Sequence, residues 1–380
     1  MKGFEKVRAL VGGKIVTTDI AFDEHVRLLG KAGQLEKIEL PSNAIVLPGF
    51  IDEHIHGAGG HDAMDGSTAA LKGMAHTLAA EGTTGFLATT MTQSEENILH
   101  ALNAVKEYRA GKNGGARLLG VHLEGPFIAE AHKGAQPKEY IAAPDVALFR
   151  RYNEASGNCI RIVTLAPEIE GAETLISHLK DSGIVASIGH TSAKFADIAR
   201  AVERGATHVT HTFNAQSALH HREIGTVGSA LLMDGLTCEL IADTVHVCVP
   251  AMQLLVKSKG ERVILITDAI RAKGLGDGES ELGGQKVFVK DGQARLADGT
   301  LAGSVLRMNV AIKNMVQKVG VPLPVAVKFA TENPARALGV FEETGSIEVG
   351  KRADFAVLDD DFNVLLTFCG GEIVYRAEAM

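Results

Sequence analysis

Three successive stretches decide how the rest of the chain is read: VLPGFIDEHIH (46–56), TAALKGMAHTLAA (68–80) and TTGFLATT (83–90). The first and third are short runs rich in Val, Ile, Leu, Phe and Thr, the composition of strands buried on both faces of a parallel sheet. The second repeats its apolar residues at helical spacing. Strand, helix, strand is a βαβ unit, and the pattern continues. Apolar runs recur at 117–124, 159–167, 184–190, 207–213, 237–246 and 262–268, with helical stretches at 95–108, 144–152, 172–180 and 192–204. Eight such repeats predict an α/β fold, a (β/α)8 barrel of the TIM type.

The flanks differ. Residues 1–47 and 345–380 read as short strands with turns (LVGGKIVTT, VRLLG, DFAVLD, GGEIVYR). Neither buries a core alone, so they are expected to join into one small β-sandwich domain, leaving 48–344 to the barrel. Between 274 and 303 the alternation breaks. There KVFVKDGQARLADG (286–299), with Asp291-Gly292 between alternating runs, predicts a hairpin expected to lie over the barrel mouth.

Composition narrows the function. The 380 residues are 46 % apolar and 22 % charged, ordinary for a globular protein, and the net charge of −8 attracts neither nucleic acid nor an anionic membrane. Any anionic ligand therefore needs a local basic site. Cys159, Cys238, Cys248 and Cys369 are far apart and never in a C-x-x-C pair, which excludes a disulfide framework and a thiolate zinc site. The opening MKGFEKVRALVGG lacks the apolar core of a signal peptide. No apolar run approaches the ~20 residues that cross a bilayer, so a cytoplasmic protein is expected. The glycines do not form a dinucleotide site, because GAGG (57–60) follows H-x-H and no G-x-G-x-x-G opens a helix.

Chemistry in such barrels is built at the C-terminal strand ends. Read in order, those ends carry His54 and His56, Glu124, His190, His211, His246 and Asp268. Eight strand ends carry about 0.3 histidines by chance at average usage; here four of the eight carry one. His54 and His56, at i and i+2, share one side of a strand. An isolated H-x-H is a common coincidence, but one that ends a strand after PGFID is not. Glu124, His190 and His211 follow apolar runs directly, where an unpaired polar group is costly. Together they point to a Zn, Mn or Fe site of one or two ions. Asp268 ends VILITD, where a carboxylate needs a cation or a proton. It is read as a general base and then acid toward a metal-activated water rather than as a helix N-cap. His25, His61, His76, His100, His132, His178, His208, His220 and His221 are read as ordinary core or surface residues.

The segments PGFIDEHIHG, HLEGPFI, SIGHTSA, THTFNAQ, HREIG, ADTVHV, LITDAI and GSIEVGKRADFAVLD resemble the N-acetylglucosamine-6-phosphate deacetylase family of the amidohydrolase superfamily. The resemblance implies removal of acetate from N-acetyl-D-glucosamine 6-phosphate by a metal-dependent barrel enzyme, generally dimeric. It makes Glu124, His190 and His211 the main metal ligands and Asp268 the acid/base. It also matches Asn214, Ala215, Arg222, His246, Leu301, Ala302 and Gly303 to substrate-contacting positions, and sets Ala135 and Gln136 beside the acetamide. Arg222 offers a donor fork suited to phosphate.

There is one departure. Some members carry a histidine where this chain has Gln136, and lack H-x-H. Here His54 and His56 are expected to hold a second ion bridged by Glu124, since no lysine ends the fourth strand (TLAPE) to serve as the bridge. The competing readings are a cyclic-amide hydrolase, a nucleobase deaminase, or a non-catalytic scaffold. The first two lack the phosphate grip, and the last should show eroded ligands.

Overall fold

Apolar side chains at alternate positions of the eight runs face a ring of helices, and that packing draws the strands into a cylinder. The computed structural model describes residues 1–111 and 113–378. The parallel strands are β1 (Phe50–Ile55), β2 (Thr83–Thr89), β3 (Arg117–Glu124), β4 (Ile160–Leu165), β5 (Val185–Ile188), β6 (His208–Val209), β7 (Thr237–Ile241) and β8 (Val263–Ile266), hydrogen-bonded in sequence order. A helix follows each strand, from α1 (Thr68–Ala79) to α8 (Met308–Asn314). One large core, including Phe86, Val163, Leu175 and Leu265, fills the space between strands and helices. The seam between β8 and β1 is fastened just past the strand ends: Asp268 N–H donates to His54 O at 2.8 Å, and His56 and Gly57 N–H both donate to Ala269 O at 2.9 Å.

A polar chain runs inside the barrel. Ser187, Thr210 and Thr164 are joined hydroxyl to hydroxyl at 2.6 and 2.7 Å, and Thr164 reaches His122 Nε2 at 2.7 Å.

Several strands end earlier than expected, the 159–167, 184–190 and 262–268 runs by two residues and two others by more. The 207–213 run keeps only His208–Val209 as strand because His211 and Phe213 turn left-handed (φ 29° and 82°). The 237–246 run stops at Ile241, and Asp243 accepts the N–H groups of Val245 and His246, so His246 stands on a loop rather than a strand. The helix expected from 192 begins at Phe195, since Glu168 holds the Thr191 hydroxyl and the Ser192 N–H in a turn.

Strands from both ends of the chain form one continuous eight-stranded sheet, in which Ile45–Pro48 pairs with both Lys2–Val11 and Phe355–Leu358. Phe4, Phe22, Phe355 and Phe368 pack ring against ring at its centre, 5.1–6.1 Å apart. We take 1–47 with 345–378 as one unit and 48–344 as the other; residues 379–380 of the expected domain lie outside the described residues. The hairpin forms with Asp291 and Gly292 both at positive φ (51° and 72°), and a third strand, Gly278–Leu282, widens it. It packs through Leu282, Val287 and Ala294 on Met91 and Ile270, at the C-terminal end of the barrel. Among the described residues no helix is long and apolar enough to cross a membrane.

Candidate metal centre

Alternation along β1 sets His54 and His56 on one side of the strand, while Ile55 between them joins the core. Glu124 is the last residue of β3. His190, His211 and Asp268 each stand two residues beyond a strand end, at φ 48°, 29° and 48°. The left-handed region costs a non-glycine residue about 1–3 kcal/mol and concentrates at functional sites. At all three positions it turns a polar side chain back over the barrel axis. The six residues are nearly or fully buried.

They converge as two triads. Glu124 Oε1, His190 Nε2 and His211 Nε2 lie 3.1 Å from one another. Asp268 Oδ1 is 3.5 Å from His54 Nε2 and 3.3 Å from His56 Nε2. Glu124 stands between the triads, with Oε1 at 3.5 Å from His54 Nε2 and Oε2 at 3.3 Å from His56 Nε2. Ligands about 2.0–2.1 Å from a tetrahedral ion stand roughly 3.3 Å apart, and these spacings bracket that value.

The donors are also oriented for a cation. Imidazole ligands carry their proton on the nitrogen turned away from the ion. Three of the four do so: Nδ1–H of His54 donates to Glu239 Oε2 (3.0 Å), that of His56 to Thr89 O (3.3 Å) and that of His190 to His132 O (2.8 Å). His54 Nε2 is buried with no hydrogen-bond partner, and two imidazole nitrogens face each other across 3.1 Å. The residues fit one or two divalent ions.

The electrostatics agree. Burial alone would raise Asp268, but the neighbouring His56, His54 and His211 outweigh it and hold the carboxyl at about 2. Burial likewise opposes charge on His54, yet Glu239 and Glu124 lift it to about 9. The site draws positive charge to its centre and keeps Asp268 ionised at neutral pH.

A cavity of about 320 Å³ opens onto this cluster. Residues 45–374 match the Amidohydrolase family. The chain belongs to that family. The N-acetylglucosamine-6-phosphate deacetylase of Bacillus subtilis (strain 168) is 47 % identical over 344 residues, 90 % of this chain and 87 % of that one. The crystal structure of N-acetylglucosamine-6-phosphate deacetylase from Pasteurella multocida superposes with a TM-score of 0.92 at 32 % identity, covering 98 % and 99 % of the two chains. A mutant of the Mycobacterium smegmatis deacetylase in complex with N-acetyl-D-glucosamine-6-phosphate gives 0.91 at 33 % identity, with 98 % and 99 % covered.

In this amidohydrolase the cavity wall includes His246, Asn214, Ala215, Leu301, Gly303 and Ala135, as the sequence suggested. Gln136 lines it too, but both ends of its amide are engaged: Nε2 donates to Glu124 Oε2 and Oε1 accepts from Thr92 N–H, each at 2.7 Å. Two expected contacts do not line the cavity. Ala302 is fully buried beneath the hairpin, its N–H bonded to Ala294 O. Arg222 is exposed outside the cavity, with Nη1 at 2.8 Å from His221 Nε2. His132, read as ordinary from a polar loop, lines the cavity and anchors His190 through its carbonyl. Glu239 and His122 were also missed. Glu239, an ionisable residue inside the apolar run TCELI, carried the same signal as Asp268.

Proposed function

We propose that this amidohydrolase cleaves the acetamide of N-acetyl-D-glucosamine 6-phosphate, giving D-glucosamine 6-phosphate and acetate, as a cytoplasmic homodimer. The observation that carries this reading is the pair of triads sharing Glu124 beneath a cavity whose wall holds Asp268. Zn, Fe and Mn suit the mixed imidazole and carboxylate donors. A bound ion supplies an acidified water and polarises the acetyl oxygen.

The chain's own residues do the rest. Asp268 is the cluster carboxylate that meets substrate, its side chain 12 % exposed against 2 % for Glu124. It takes a proton from the attacking water as the oxygen bonds to the acetyl carbon, then hands that proton to the nitrogen as the C–N bond breaks. Met91, Leu282 and Leu301 give the cavity an apolar side suited to a methyl group or a sugar face. His246, its Nδ1 held by Asp243 Oδ2 at 2.7 Å, keeps Nε2 for a sugar hydroxyl or phosphate.

The deciding experiment is acetate release from the phosphorylated and unphosphorylated sugars, before and after chelation. Activity is expected on the 6-phosphate, lost on chelation and restored by a divalent ion. Equal release from both sugars would remove the phosphate from the reading, and no release from either would favour a cyclic-amide hydrolase or a deaminase.

Among the described residues no lysine or arginine lines the cavity, so the phosphate lacks a full charge partner within one subunit. Arg222 from a second copy supplies it in our reading; exposed Leu219 on the same loop, and Leu232 at the end of the helix that follows, suit a subunit contact. Arg222→Ala should raise KM for the phosphorylated sugar about 10–100-fold, the worth of a charge-assisted hydrogen bond. Co-expressed with Asp268→Asn chains, it should recover turnover at the wild-type KM, which neither homodimer shows. Failure to recover assigns Arg222 to its own subunit's site.

A further inference from the structure

Beneath the two triads lies a fully buried carboxylate, Glu239 on β7, that does not line the cavity. Its Oε2 accepts two hydrogen bonds, from His54 Nδ1–H at 3.0 Å and from the backbone N–H of His211 at 3.1 Å. The first fixes the His54 ring: a carboxylate only accepts, so the proton sits on Nδ1 and the Nε2 lone pair faces Glu124 and Asp268. The second satisfies the backbone of His211 in the left-handed turn that aims its Nε2 at His190 and Glu124. One oxygen thus ties a residue of each triad and sets the distance between them.

The neighbouring His122 serves as a backstop. Its ring lies 4.4 Å from that of His54, edge to face. Its Nδ1–H donates to Glu53 O, which obliges Nε2 to accept from the Thr164 hydroxyl, which in turn accepts from Thr210 and that from Ser187. With both nitrogens committed, His122 is no ligand, although His54, His122 and Glu239 lie within ligating distance of one another. The second oxygen of Glu239, Oε1, is buried without a partner. A bare buried carboxylate oxygen is a cost to folding, so its place in the barrel is explained by what the other oxygen holds.

We propose that Glu239 is a positioning residue that holds both halves of the centre in register, through the ring of His54 and the backbone of His211. This rests on the reading of the triads as a metal site. The test is equilibrium dialysis of the full-length enzyme against buffered zinc, with ion content and affinity measured for Glu239→Gln, Glu239→Leu and His54→Ala/His56→Ala side by side. Loss of an outer partner typically costs about 10–100-fold in metal affinity. Glu239→Leu should show about 100-fold weaker binding of the ion at His54, and Glu239→Gln, which keeps an acceptor, about 10-fold. Turnover should fall through kcat with KM little changed, since Glu239 meets no substrate, and the metal-free melting temperature of Glu239→Gln, which keeps the acceptor, should stay near wild type. Should Glu239→Leu not fold, Glu239→Gln decides alone. If the double histidine variant loses an ion while the Glu239 variants bind as tightly as wild type, the proposal is overturned. If the double variant keeps its full ion content, it is the two-ion reading that has failed.

Discussion

Asp268→Asn should lower turnover by about 10³-fold or more while ion content stays near wild type. In the proposed mechanism one carboxylate does two jobs, taking a proton from water and returning it to nitrogen, and general acid–base catalysis contributes about 10²–10⁴-fold. An amide of the same shape does neither. Its oxygen can still lie beside His54 and His56, so the cluster keeps its geometry. The measurement is acetate release together with metal analysis of the purified variant. Near-normal turnover would remove Asp268 from the mechanism. Normal chemistry per bound ion with few ions bound would make it a ligand only.

Glu124→Gln should be more damaging still to the centre itself. Glu124 reaches the ligating nitrogens of both triads, with Oε1 among His190, His211 and His54 and Oε2 beside His56. Its charge is what the histidines gather around: burial works against it, yet the neighbouring His54, His190 and His211 hold the carboxyl well below its usual range. A neutral amide leaves four imidazoles without their common counter-charge. Metal content should fall toward background and turnover with it, beyond the about 10–100-fold that an outer partner is worth. An enzyme that retains its ions and rate without this carboxylate would refute the bridging arrangement.

Much of this was legible in the sequence because burial writes itself plainly. A strand enclosed on both faces must be apolar throughout, so β1 to β8 stood out, and an ionisable residue at the end of such a run stood out against it. That is how His54, His56, Glu124, His190, His211 and Asp268 were found. The same signal marked Glu239, but inside a run rather than at its end, where a reading tuned to strand ends passes over it. Other errors have a different origin. Apolar content fixes what is buried, not where the strand ladder stops, so the 237–246 run reads as strand through His246 although Asp243 turns the chain before it. Arg222 and Ala302 depend on where loops go, and loops carry no periodicity. His132 sits in a polar stretch like any surface histidine; only the approach of His190 to its carbonyl places it on the wall.

The fastening of β8 to β1 has a last consequence. The amide that latches onto His54 belongs to Asp268, the proposed proton carrier, and the next carbonyl along receives the backbone of His56. The ring of strands is therefore buckled by the very peptides from which its reactive groups hang. A barrel that begins to gape at this clasp goes chemically silent before it comes undone, and selection for catalysis at this rim is at once selection for a closed ring.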